Sequence, residues 1–258
     1  MISVLPNFRL DEKVAVITGA GRGIGKAIAI GYAEAGADVV LLSRTEQDLQ
    51  ATAESIRSIG REAYVYPTDL TNINEVNDTV EKVMDEVGKV DILVNNAGMN
   101  IRTPALEVTE DEWQTIMDTN LRSAFQLSQK FAHHMKNNGT GRIINISSVA
   151  GTTALRTGVV YAASKAAMIQ MTKNLALEWG EHGIQVNSIG PWYFKTPLTE
   201  KLLQDEEYLN SILSRTPLKR VGELPELVGP AVFLASDAAS YVTGQTLFVD
   251  GGMTIYGF

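Results

Sequence analysis

The chain contains no cysteine. That absence excludes disulfide staples, thiolate catalysis and cysteine-ligated zinc. Histidine is nearly as scarce: His133, His134 and His182 are the only three, with neither HExxH nor HxxxH spacing. Adjacent histidines on a helix point in different directions, so no metal-ligand set is expected. No apolar run approaches the roughly 20 residues that span a bilayer. Met1–Leu10 lacks the basic stretch, apolar block and small-residue cleavage site of a secretory signal, so the cytoplasm is the expected compartment. Positive charge is in the minority, with 22 Lys and Arg against 30 Asp and Glu, a net −8. That balance disfavours a nucleic-acid partner.

What is present is 258 residues, 45% hydrophobic, long enough for one large domain with a full core. Short β-branched runs alternate with longer amphipathic stretches, the pattern of a parallel sheet covered on both faces. Strands are predicted at Val14–Thr18, Val39–Leu42, Ala63–Tyr66, Ile92–Asn95, Arg142–Ile146, Gln185–Ile189 and Thr246–Val249. Helices are predicted near 24–35, 46–59, 73–87, 110–136, 155–180 and 225–236, with Gly36 and Gly60 as stops. The fold expected is α/β: a single-domain, doubly wound Rossmann sheet of seven parallel strands spanning 1–258.

Acidic clusters are read as helix starts. Thr109-Glu110-Asp111-Glu112 has the form of a capping box, with Glu112 reaching back to Thr109. Gln204-Asp205-Glu206-Glu207 reads as the solvated start of a short helix. The stripe Met168, Met171, Leu175 and Trp179 follows helical spacing and reads as core packing. A second apolar face on the helices at 110–136 and 155–180 is open to another subunit.

Directly after the first strand comes Thr18-Gly19-Ala20-Gly21-Arg22-Gly23-Ile24-Gly25. A strand that breaks into glycines and then a helix brings bare N–H groups against a pyrophosphate. Further on lie Asn95-Asn96-Ala97-Gly98, Asn120, Ser147-Ser148, Tyr161 and Lys165. Tyr161 and Lys165 are four apart and share one helix face. A free tyrosine, pKa about 10, is a poor base at neutral pH. An adjacent ammonium, with a nicotinamide's positive charge nearby, is expected to pull that pKa down. Together these residues point to a nicotinamide-dependent oxidoreductase.

The GxxxGxG spacing after Thr18, with the later motifs, resembles the short-chain dehydrogenase/reductase family over essentially the whole chain. The resemblance implies Asn120, Ser148, Tyr161 and Lys165 as catalytic residues. Ser148 would polarise the carbonyl, and Asn120 would hold a water linking Lys165 to solvent. It also implies cofactor contacts from Gly19, Arg22, Gly23, Ile24, Gly25, Asp69, Leu70, Asn95, Ala97, Gly98, Pro191, Phe194 and Thr196. After the second strand, where an NAD site usually places Asp or Glu, stand Ser43 and Arg44. Arg44 with Arg22 favours the 2′-phosphate of NADP, with NAD still open; the other reading makes both arginines plain surface charges.

Where the family usually has Pro-Gly, this chain has Pro191-Trp192, which sets a large aromatic near the nicotinamide or the substrate mouth. Within the family the chain is most similar to sugar-acid reductases of the gluconate 5-dehydrogenase kind. Arg102 or Arg156 could then hold a substrate carboxylate, or either is a solvated loop charge. A 3-oxoacyl-carrier-protein reductase or other ketone reductase is the alternative enzyme. A non-catalytic NADP-binding regulator is the alternative outside catalysis. A homotetramer is expected from the resemblance alone.

Overall fold

The computed structural model describes residues 4–256. Neighbouring side chains on a strand point to opposite faces, and the first strands divide accordingly. Ala15, Ile17, Val39 and Leu41 enter the core on one face of the sheet, and Val14, Val16, Val40 and Leu42 the core on the other. Both sets are fully apolar because helices cover both faces. Burying each such Val, Leu or Ile contributes roughly 1.5–3 kcal/mol.

The strands are β1 (Val14–Thr18), β2 (Asp38–Ser43), β3 (Ala63–Pro67), β4 (Ile92–Asn95), β5 (Gly141–Ile146), β6 (Ile184–Pro191) and β7 (Thr246–Val249). They form one seven-stranded sheet in the order β3-β2-β1-β4-β5-β6-β7. Every pairing is parallel; Val16, for example, lies beside Val40 on β2 and Leu93 on β4. Helices α1 (Gly23–Glu34), α2 (Glu46–Ser58) and α9 (Pro225–Ala235) cover one face through Ile28, Tyr32, Leu49, Ile56 and Leu234. On the other face lie α3 (Ile73–Val87), α5 (Ser123–Asn138) and α6 (Val159–Trp179), through Val76, Val80, Phe131 and Leu175. The chain leaves β1 toward β2 and β3, then returns to pair β4 on the other side of β1. That reversal opens a crevice beyond the carboxyl ends of β1 and β4, the usual place for a ligand in such sheets.

All seven strands lie where the sequence puts them, with ends extended by one or two residues. The helix expected over 110–136 is divided. α4 (Glu110–Met117) runs through a π-helical turn, Asp118–Arg122, before α5 begins. One extra residue per turn barely disturbs an apolar period of 3.6, so the pattern does not betray it. α6 starts at Val159 rather than 155, because Gly158 has φ +88°. α7 (Glu200–Leu203) was not expected; α8 (Glu206–Ser214) starts at the acidic cluster, with Asp205 Oδ1 accepting from the Tyr208 N–H at 3.0 Å. Only half of the capping box forms. Thr109 Oγ1 accepts from the Glu112 N–H at 3.2 Å, but the Glu112 carboxylate takes the Thr103 hydroxyl instead of reaching back. Gly36 and Gly60 follow α1 and α2 at φ +111° and +86°. Met168 and Leu175 are buried, and Met171 and Trp179 pack at the core margin. Among the described residues no helix is long and apolar enough to cross a membrane.

The first turn of α1 sits hard against the end of β1. A Cβ added at Gly25 would lie 2.3 Å from the Gly19 carbonyl oxygen and 2.4 Å from Asn96 Nδ2. Gly25→Ala is therefore expected to cost about 1–3 kcal/mol by overpacking. Gly180, which has helical angles and open space around its Cα, is the control: Gly180→Ala should be neutral or stabilising. Calorimetric melting of the two variants separates backbone crowding from a general intolerance of alanine.

Candidate active site

Between β1 and α1 the backbone turns through Gly19 at φ +64° and Gly23 at φ +58°, a region that favours glycine. Arg22 stands at the N-cap of α1 without a side-chain cap, and the first turn holds no acidic residue. The leading N–H groups of the helix are thus left for an anion. A Cβ at Gly23 would meet only Thr196 and Pro197, at 3.8 and 3.9 Å. The loop after β6 therefore roofs a hollow over the uncapped helix start, a cradle that fits the phosphates of a dinucleotide. Ile24 packs against the core behind it.

Thr18 and Asn96 tie this turn to the end of β4. Thr18 Oγ1 accepts from the backbone N–H groups of Asn96 and Ala97, both at 2.9 Å, and donates to the Val94 carbonyl. Asn96 Nδ2 donates to the carbonyls of Thr18 and Gly19 at 2.9 and 3.3 Å. Asn96 is not among the site residues expected from the sequence, where the doubled asparagine is its signal. Asn95 turns its side chain into the core, donating to Ser128 Oγ at 2.8 Å and Asn145 Oδ1 at 2.9 Å. That leaves only its main chain for a ligand.

At the end of β2, Ser43 is half-buried and Arg44 exposed. Arg22 is also exposed, and among the described residues neither arginine side chain makes a hydrogen bond or ion pair. Asp69 accepts from the Thr71 N–H and hydroxyl at 2.9 and 2.8 Å. Those bonds, helped by the charge of Arg44, hold its carboxyl below the ordinary range. Leu70 is buried in the core.

The reactive side chains meet beyond β4 and β5. Ser148 is buried just past β5; its Oγ accepts from the Ala150 N–H at 3.1 Å, and its hydroxyl is near enough to Tyr161 to lower the phenol's pKa. Lys165 is 3% exposed; its Nζ donates to the Ile146 carbonyl at 2.8 Å and lies 5.8 Å from the centre of the Tyr161 ring. Nζ also stands 3.5 Å from where a side chain at Gly98 would begin, and Asn120 Oδ1 3.3 Å, so a side chain there would pack directly on both. Asn120, in the π-helical turn, is wholly buried. Its Oδ1 accepts from the Met99 N–H at 2.8 Å, and its Nδ2 donates to the Met99 carbonyl and Ser164 Oγ at 2.9 and 3.1 Å. The amide is thus engaged in holding the loop after β4.

The Lys165 ammonium alone does not make Tyr161 acidic. Burial pushes its pKa up, and the Ser148 hydroxyl and the charge of Arg102 offset only part of that. The ammonium of Lys165 is aimed at the Ile146 carbonyl instead. Burial also lowers Lys165, from 10.5 to about 8. Both groups are therefore driven toward their uncharged forms.

On the open side, Arg102 Nη1 donates to Tyr208 Oη at 2.7 Å and Nη2 to Tyr193 Oη at 3.4 Å. The two phenol oxygens are 2.6 Å apart. Burial and the bond to Tyr208 push Tyr193 up to about 12. Trp192 has no left-handed backbone, which is why a bulky residue is tolerated there. Its N–H donates to the Val249 carbonyl, prolonging the β6–β7 ladder past Pro191, and its Nε1 donates to Thr216 Oγ1 at 3.0 Å. The indole thus braces Tyr193 edge-on at 4.6 Å and lines a hollow together with Tyr193 and Phe194. Phe194 buries its ring against Gly222, and Thr196 Oγ1 pairs with Thr199 Oγ1 at 3.0 Å. Arg156 is exposed on the loop before α6 and makes no hydrogen bond or ion pair among the described residues.

A glycine cradle at the β1–α1 turn, joined to a buried Ser and Lys and a half-buried Tyr beyond β5, defines the class. Residues 19–254 match the family described as enoyl-(acyl carrier protein) reductase, and the chain belongs to the short-chain dehydrogenase/reductases. It is 42% identical over 249 residues to gluconate 5-dehydrogenase of Gluconobacter oxydans (strain 621H), covering 96% of this chain and 97% of that one. A tropinone reductase homolog of Arabidopsis thaliana is 43% identical over 254 residues, 96% of this chain and 95% of the other. The crystal structure of a gluconate 5-dehydrogenase from Burkholderia cenocepacia J2315, in complex with NADP and tartrate, is 42% identical and superposes with a TM-score of 0.94. That likeness covers 98% of this chain and 99% of that one.

The buried lysine carries a measurable signature. Its folded pKa is depressed, so between about 8 and 10.5 the unfolded chain holds a proton that the folded chain has released. Stability from this group therefore rises with pH across that window and is lowest below it. Lys165→Met removes the effect. Its stability relative to the wild type is expected to fall by about 2–3 kcal/mol between pH 7 and pH 10.5, as measured by denaturant unfolding. A difference that does not change with pH would rule out a desolvated ammonium.

Proposed function

We propose that the chain is an NADP-dependent oxidoreductase that interconverts a secondary alcohol and a ketone on a sugar acid, the pair being gluconate and 5-ketogluconate. The observation that carries this reading is the meeting of Ser148, Tyr161 and Lys165 beside an anion cradle, with a cationic Arg102 across the opening. Residues 1–258 are read as one domain serving both tasks.

Bound in the crevice, the nicotinamide cofactor would supply or take the hydride. Tyr161, held neutral by burial, gives its phenolic proton to the ketone oxygen in reduction. Ser148 spends a lone pair on Ala150, which leaves its hydroxyl hydrogen for the same oxygen. Lys165 lends positive charge beneath the phenol and passes the proton onward. Asn120 serves as a positioning residue, since its amide holds Met99; the relay water proposed for this site falls to its main chain. Gly19, Gly23 and Gly25, with Ile24, shape the phosphate cradle, closed above by Thr196. Asp69, Leu70 and the main chains of Asn95, Ala97, Gly98, Pro191 and Phe194 line the rest of the cofactor groove.

NADP is favoured over NAD by two unpaired, exposed arginines, Arg22 and Arg44, flanking Ser43 where no carboxylate stands. The NADP in the Burkholderia relative supports this choice. A sugar acid is favoured over a cationic amine ketone such as tropinone because Arg102 and Arg156 set positive charge at the mouth. Trp192 acts on the substrate side through Tyr193. For assembly, a groove of about 390 Å³ lined by Met117, Leu121, Phe125, Ala167 and Met171, with Asp118 and Arg122 among them, suits another copy of the chain, in keeping with a homotetramer in the cytoplasm. Nucleic acid is not a proposed partner.

Two substitutions test the reading. Tyr161→Phe should lower kcat for 5-ketogluconate reduction by about 10²–10⁴-fold while leaving NADPH affinity near that of the wild type. Full activity in that variant would remove Tyr161 from the mechanism, and tight NADPH binding without turnover of any sugar acid or ketone by the wild type would favour a regulator. Arg44→Asp should weaken NADPH about 10–100-fold more than NADH, because it exchanges a charge-assisted bond for repulsion. Fluorescence titration of both cofactors reads this directly, and equal losses would refute the 2′-phosphate assignment.

A further inference from the structure

The cluster of Arg102, Tyr193 and Tyr208 has more donors than it can use. Each phenol carries one proton and two lone pairs, and a guanidinium carries five N–H donors and no acceptor. Arg102 spends one donor on each phenol, and one phenolic proton is spent between the two oxygens. The second phenolic proton has no acceptor among the described residues, and three guanidinium donors are likewise unspent. Both phenol oxygens already accept from Arg102. The Arg102 side chain is exposed, so these donors stand open to solvent, and the ligand that matches them is rich in acceptors and, given the guanidinium, negatively charged.

The oxygens are held in place with little freedom. Trp192 packs edge-on against Tyr193 at 4.6 Å, and Tyr193 edge-on against Tyr208 at 6.1 Å. The Arg102 guanidinium carbon lies 5.6 Å from the centre of the Tyr208 ring. Tyr208 is in the first turn of α8, and Thr216, just past its end, is bonded by the Trp192 indole. Both ends of the helix are thus pinned by one aromatic pair. The cluster also borders the helix that carries Tyr161: a Cβ at Gly158, just before α6, would lie 3.6 Å from the Arg102 Cα.

We propose that Tyr208 is a specificity-determining residue: its hydroxyl, acting with Arg102, selects substrates that carry a carboxylate over neutral molecules of the same shape. The selection works in two ways. Tyr208 fixes the guanidinium fork at the mouth, and the phenol pair adds a neutral donor beside it. A carboxylate would then meet a bidentate cation and a third hydrogen bond. A neutral amide in its place would set an N–H₂ group against donors. The proposal rests on the sugar-acid reading of the substrate.

Tyr208→Phe keeps the ring and its contacts and removes only the hydroxyl. Gluconate and its neutral isostere gluconamide are compared as substrates with NADP. The loss in kcat/KM for gluconate is expected to exceed that for gluconamide by about tenfold, mostly through KM. In an Arg102→Met background the same substitution should lose most of that discrimination, because the two act together. Equal losses for both substrates, or full coupling-independent loss in the double variant, would reduce Tyr208 to packing and overturn the proposal. If the wild type oxidises no sugar acid, the substrate reading itself falls. Tartrate titrated into the NADP complex then decides on Tyr208 alone. Binding about tenfold weaker in Tyr208→Phe supports carboxylate selection, and unchanged binding refutes it.

Discussion

The site depends on the hydroxyl of Thr18. It is 1% exposed and uses all its capacity, accepting from two backbone N–H groups beyond β4 and donating to a third residue within that strand. Strands β1 and β4 are neighbours, but the chain runs away from them in opposite directions, and nothing in the ladder itself fixes their ends. Thr18 and Asn96 supply that constraint with five hydrogen bonds across the switch point. Each is worth about 1 kcal/mol net, and leaving any such buried group unpaired costs more. The cradle on one side and the Gly98 backbone beside Lys165 on the other keep a fixed spacing as a result.

Electrostatically the crevice is divided. Its floor holds Lys165 and Tyr161, both driven toward neutrality by burial. Its rim carries Arg22, Arg44, Arg102 and Arg156, whose charges are permanent and exposed to water. Proton transfer belongs in the dry floor, where small changes in local charge act strongly. Recognition of anionic groups belongs at the rim, where a cation needs no desolvation before its ligand arrives. The lysine at the floor is held there against the stability of the fold, as is common for groups retained for their chemistry.

Much of this was legible in the sequence because it depends on local pattern. Buried parallel strands announce themselves as apolar runs, and the glycine spacing after Thr18 marks the turn. Three features escaped, each for a physical reason. The π turn around Asn120 adds one residue without upsetting the helical apolar stripe. Tyr161 was expected to be acidic because its neighbour Lys165 was counted as a nearby charge; the sequence does not say that the ammonium is aimed at Ile146 or that the pocket is dry. Tyr208 is 106 residues from Arg102, and only the folded chain brings them to 2.7 Å.

Helix α8 places just one side chain, Ile212, in the interior, and α7 places none. Neither core cluster on the two faces of the sheet would be breached by exchanging the outward residues of this segment. A gene copy drifting here would lose little folding free energy while altering which molecules are admitted. Divergence in such a protein can therefore proceed along one short, shallowly seated element, with the hydride-handling half inherited intact.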